Sequence, residues 1–93
     1  MMLIEKERRV PVLASVDVCV LGGGTTGVMA AIRAARMGAR VLIVEQQGNF
    51  GGNGTSGMVC AWHTLLDFDF DQKIISGLSE EFLERLDKRH ALR

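Results

Sequence analysis

The residues best suited to chemistry stand six in a row, Gly22-Gly23-Gly24-Thr25-Thr26-Gly27. They satisfy the spacing G-x-G-x-x-G, with Gly22, Gly24 and Gly27 in its three places. In such a turn the first glycine permits a sharp exit from a strand. The second lets a pyrophosphate approach a backbone that carries no Cβ, and the third lets the helix pack close to the strands. The anion then meets the free N–H groups and the positive dipole end of that helix. Thr25 and Thr26 add hydroxyl donors beside it. About 20 residues further on stands Glu45, where a carboxylate accepts the ribose hydroxyls of an adenosine. An acid there repels a 2′-phosphate, so the pattern points to a dinucleotide without one.

A second glycine cluster follows the acid: Gly51-Gly52-Asn53-Gly54-Thr55-Ser56-Gly57. So many glycines serve either a flexible connection or a backbone that something approaches closely. The remaining candidates are weaker. Cys60 and His63 have no Cys or His neighbour to complete a metal site, and they read as a packed thiol and an incidental imidazole. Trp62 reads as core or lid rather than as a ring stacked on a ligand, and His90 as a charge at a helix end. Asp67, Asp69 and Asp71 open like a calcium loop, but Gln72 and Leu78 occupy the places that need Gly and Glu. No residue falls into the pattern of a catalytic acid, base or nucleophile.

The turn needs a strand before it and a helix after it. Residues 16–21, VDVCVL, are a β-branched run that predicts a buried parallel strand. Residues 25–37 predict a helix with Val28, Ala31, Ile32 and Ala35 on its apolar face, Met29 and Met37 packed, and Gly38 at the C-cap. Residues 40–44, RVLIV, predict a second buried strand that ends at Glu45. Residues 16–45 are thus a βαβ core, with a right-handed crossover expected. Around it, residues 10–14 are expected to form a short extended lead-in that Pro11 confines to an edge or a loop, and residues 46–57 a loop. Residues 58–66 are ambiguous between strand and helix, and 67–73 alternate and then turn polar. Residues 79–90 predict a helix capped by Ser79, with Leu78, Phe82, Leu83 and Leu86 as its apolar face.

Ninety-three residues hold one small domain at most, and a chain of that size buries about 60–65% of its unfolded surface. Eleven basic residues balance eleven acidic ones, which argues against nucleic acid and anionic membranes as partners. No run is long enough to span a bilayer. Cys19, expected in a buried strand, and Cys60 read as reduced thiols of a cytoplasmic protein.

Three stretches carry a family resemblance: D-V-x-V-x-G-G-G-x-x-G-x-x-A-A from Asp17, G-A-x-V-x-x-V-E from Gly38, and G-x-F-G-G-N-G-T-S-G from Gly48. With the lead-in Val10-Pro11-Val12 and the later Ile75-Ser76-Gly77-Leu78-Ser79-Glu80-Glu81, the chain resembles the N-terminal region of FAD-dependent oxidoreductases over most of its length. The resemblance implies FAD as cofactor, with Gly22, Gly24 and Gly27 under its pyrophosphate, and Glu45, with Gln46 beside it, at the adenosine ribose. It further implies that Gly51, Gly52 and Thr55 line the path toward the flavin. The pattern departs from many flavoproteins at Asn49 and Asn53, where arginines flank the Gly-Gly pair; the G-G-N run is similar to fumarate-reductase-like flavoproteins. The expected architecture is α/β. Residues 1–93 would form an N-terminal, Rossmann-type FAD-binding domain with a C-terminal helix, incomplete beside a full flavoprotein. The chain would bind the ADP half of FAD, be inactive in isolation, and await the remainder of the enzyme with its unknown small-molecule substrate. Two other readings stay open: an NAD-binding module of the same physics, and a truncated, non-enzymatic remnant.

Overall fold

The computed structural model describes residues 1–92. Its centre opens with strand β1 (Val18–Leu21), turns through the glycine triplet into helix α1 (Thr25–Arg36), and returns in strand β2 (Val41–Val44). The strands pair in parallel, from Val18 with Val41 to Leu21 with Val44. The ladder continues past both ends. The Asp17 N–H donates to the Arg40 carbonyl at 2.9 Å, and the Gly22 N–H donates to the Val44 carbonyl at 2.8 Å. Asp17 also accepts from the Arg40 N–H at 2.8 Å and from its guanidinium at 2.9 Å. On an open surface this pair adds little energy, and its effect is to pin the register.

Alanines at 30, 31, 34 and 35 favour the helix. It stops in a Schellman motif: Gly38, at φ +93°, donates to the Ala35 carbonyl, and Ala39 donates to that of Ala34. The face turned to the strands is Gly27, Val28, Ala31 and Ala34. Ile32, Ala35 and Met37, expected to pack, lie exposed. The helix is rotated so that its smallest residues make the seam, which lets it sit close to the sheet.

The expectation of buried strands is only half met. They are parallel, but no apolar side chain among the described residues is fully buried, and Cys19 and Cys60 are both exposed. Two strands under one helix have only one covered face. Val18 and Val20 point toward it, and Cys19 and Leu21 point away. The chain exposes 8496 Å², against about 5,300 Å² for a self-contained protein of this mass. Its radius of gyration is 17.9 Å, where about 12 Å is usual for this length.

Residues 10–14 form no strand, and 58–63 form neither strand nor helix. Leu66 and Lys73 make an antiparallel bridge across a turn. Desolvation there would raise the Asp67 carboxyl, but N–H donors from Gln72 and Asp71 outweigh it and hold the group below its usual range. Helix α2 (Leu78–Asp87) starts from Gly77 at φ +74°, so Ser79 lies inside the first turn and is not the cap. The helix ends before His90, which adopts φ +54°. Glu81 joins α2 to α1 by accepting from both terminal nitrogens of Arg36, at 2.6 and 2.9 Å, and it also accepts from Arg85. Arg36 and then Arg85 lower the Glu81 carboxyl to about 2. No helix among the described residues is long and apolar enough to cross a membrane.

Candidate functional site

The two glycine-rich segments, separate in sequence, are one structure. The Gly51 N–H donates to the Gly23 carbonyl at 2.8 Å, and Gly24 and Gly51 form a parallel bridge. The Thr25 hydroxyl donates to the Gly51 carbonyl at 3.0 Å. Gly51 is at φ +108° and leads into a single 3₁₀ turn, Gly52–Gly54. A Cβ on Gly52 would stand 3.1 Å from Gly24 Cα. The second loop is therefore a wall of the first rather than a flexible link.

The three motif glycines have distinct surroundings. Gly22 turns out of β1 at φ +102°, a conformation that L side chains rarely adopt. At Gly27 a Cβ would fall 1.9 Å from the Gly22 carbonyl oxygen, so helix and turn touch backbone to backbone. At Gly24 a Cβ would meet nothing within 4 Å. That open space adjoins the start of α1, where no side chain caps the helix and no acid lies in the first turn. The N–H groups of Thr25, Thr26 and Gly27 have no acceptor among the described residues. Free donors, a dipole end and a missing Cβ fit a pyrophosphate.

Glu45 leaves β2 and turns back onto this cradle. Its carboxylate accepts the Gly23 N–H at 2.6 Å and the Gln47 N–H at 2.9 Å. The Gln47 and Gly23 donors hold the group below the usual glutamate range, so it is an anion at neutral pH. Each oxygen has a second lone pair for a hydroxyl. Sequence reasoning gave Gly23 no role, yet it is the one buried residue among those described. A Cβ on it would lie 2.4 Å from Phe50 Cδ1 and 3.1 Å from Glu45 Cβ. The triple glycine was the signal for it, but the partner became visible only with the strand register.

The hydroxyls fare less well as direct donors. Thr25 spends its proton on Gly51. Thr55 donates to the Phe50 carbonyl at 2.6 Å, and Ser56 donates to the Asn49 side chain at 2.8 Å, so both fasten the loop. Thr26 and Gln46 are exposed, and neither side chain has a hydrogen-bond partner among the described residues. A cavity of about 350 Å³ lies beside Glu45, bounded by Ile43, Val44, Gln47 and Phe50. Another of about 240 Å³ lies at Thr25 and Gly54. Among the described residues no three His, Cys, Asp or Glu gather as metal ligands.

A parallel strand–helix–strand unit with an anion cradle at the helix start and an acid at the second strand's end defines a class of α/β nucleotide-cofactor proteins. Comparison narrows the class: the FAD dependent oxidoreductase family matches residues 17–93, and the chain belongs to that family. FAD is the family's cofactor. The chain is similar to Beta-cyclopiazonate dehydrogenase of Aspergillus oryzae, with 36% identity over 70 residues, 75% of this chain and 15% of that one. It is similar to Fumarate reductase (cytochrome) of Shewanella frigidimarina, with 41% identity over 66 residues, 62% of this chain and 12% of the relative. Mitochondrial Dihydrolipoyl dehydrogenase of Schizosaccharomyces pombe is 50% identical over 36 residues, 39% of this chain and 7% of its own length. The chain thus spans a small part of each of these relatives. No solved structure matches it.

Proposed function

We propose that this chain is the Rossmann-type segment that holds the ADP half of FAD in an FAD-dependent oxidoreductase. The observation that carries the reading is the open space at Gly24, set against unpartnered N–H groups at the start of α1. Gly22 and Gly27 shape that cradle, and Gly51 and Gly52 wall it. Thr25 and Thr55 hold the wall in place, Thr26 borders the open side, and Glu45 receives the ribose, with Gln46 at the rim. When bound, the flavin supplies the electron-transfer chemistry, and the residues of this chain bind and orient the cofactor.

The unit would serve within a larger enzyme. The uncovered outer face of β1–β2 and the small share of each relative that the chain spans support this. The substrate would then be bound by parts outside this segment. The unpaired thiols of Cys19 and Cys60 support a reducing, cytoplasmic setting.

Calorimetric titration of the chain with ADP, FAD and NAD tests the reading. ADP and FAD should bind, with FAD tighter. Silence toward both, or a preference for NAD over FAD, would sink it.

A further inference from the structure

The cradle has two flanks, and Glu45 explains only one. On the other, Thr25, Asn53, Gly54, Val59, Trp62 and His63 bound the 240 Å³ cavity. None of its lining residues borders the cavity beside Glu45. Trp62 reaches this place from a segment without regular structure, so specific contacts must hold it there. Its indole stacks on Phe82 of α2, with centroids 4.9 Å apart and planes 23° apart, and its N–H donates to the Val59 carbonyl at 3.3 Å. A Cβ on Gly54 would lie 3.1 Å from Trp62 Cζ2 and 3.8 Å from Thr25 Oγ1. Gly54 is thus the spacer between the indole and the first residue of α1. Trp62 as a whole remains 43% exposed. The Asn53 side-chain amide has no hydrogen-bond partner among the described residues.

A dinucleotide whose pyrophosphate lies at Gly24 and whose adenosine ribose lies at Glu45 must place its other half away from Glu45, and the Thr25–Gly54 cavity borders the same start of α1. We propose that this flank takes the flavin end of FAD, with the Trp62 indole against the isoalloxazine ring. The proposal rests on the FAD reading above and assigns a residue to the half of the cofactor that reading leaves unplaced. An apolar cavity walled by an aromatic ring, with one free amide at its edge, suits a flat heterocycle with polar edges. Trp62 then separates FAD from ADP, which has nothing to place there. Removing the indole should weaken FAD binding by about three- to tenfold and leave ADP binding unchanged.

The test uses flavin emission from the full chain. Free FAD is dim because its adenine folds over the flavin. Binding in an extended form separates the two and brightens the flavin, unless an electron-rich ring takes the adenine's place. The chain has one Trp and no Tyr, so contact quenching by an indole or phenol has a single source. Bound FAD should be dark in the wild type and severalfold brighter in Trp62→Phe, and Trp62→Ala should lose affinity for FAD but not for ADP. A bright flavin on the wild type, or one equally dark in Trp62→Phe, overturns the assignment while ADP binding keeps the cradle reading intact. Absence of ADP binding overturns both. Should Trp62→Ala lose ADP as well, the emission of Trp62→Phe against the wild type decides: brightening upholds the proposal, and no change overturns it.

Discussion

At Gly24 and Gly27 the same small change has opposite consequences. An alanine at Gly24, whose backbone is extended, meets open space, so Gly24→Ala should fold as the wild type does. It should nevertheless weaken ADP and FAD by about ten- to a hundredfold, because the methyl occupies the pyrophosphate's approach. Gly27→Ala drives a methyl into a backbone carbonyl and should cost more than about 3 kcal/mol of stability, with binding lost as a consequence. Circular dichroism beside calorimetry separates the two, and equal loss of structure in both variants would contradict the assignment. Glu45 carries a pH signature. Its folded pKa is lowered, so its support of the Gly23 turn is complete above the ordinary value of 4.5 and fades as pH falls through the folded one. FAD affinity should drop over that acid range in the wild type, and Glu45→Gln should be weak and flat across it. A Glu45→Gln profile with the wild-type acid limb would remove Glu45 from the ribose.

At the scale of elements, what could be read from the sequence was what local chemistry writes. The β-branched runs, the alanine helix, Gly38 at its end and Glu45 after β2 are short-range patterns, and each element formed within a few residues of its expected bounds. The rotation of α1 was harder to read, because periodicity favours the large residue Ile32, whereas close approach to the strands favours Gly27 and Ala34. The cap of α2 was missed because Ser79 is a better capping type than Gly77, but glycine alone accommodates the sharp positive-φ turn there without strain. Pairings such as Thr25 with Gly51 leave no local mark. The attachment of α2 is itself testable. Glu81 is lowered to about 2 from 4.5, so its bridge to Arg36 stands complete above pH 4.5 and is lost as pH falls toward 2. Because Trp62 stacks on Phe82, its emission should report α2 leaving over that window. Glu81→Gln should abolish the step, and a step that survives in Glu81→Gln would exclude this cause.

For the molecule as a whole, the uncovered faces dominate. Folding stability grows with apolar area withdrawn from water, and here no apolar side chain among the described residues is withdrawn completely. The chain alone should melt broadly and bind hydrophobic dyes. FAD at a hundred times its Kd should add about 2.7 kcal/mol to the stability of the folded form. A sharp transition in calorimetry without cofactor would show that the packing suffices by itself.

The same openness reaches into the life of the polypeptide in a cell. Quality control acts on exposed apolar surface and on the fraction of molecules that open, and a segment with so little interior would offer both wherever the rest of its enzyme left it uncovered. A cofactor that binds only the folded form would shelter such a segment as well as supply its chemistry. Its steady-state abundance would then follow the supply of riboflavin, rising when the vitamin is plentiful and falling to proteolysis when it is scarce.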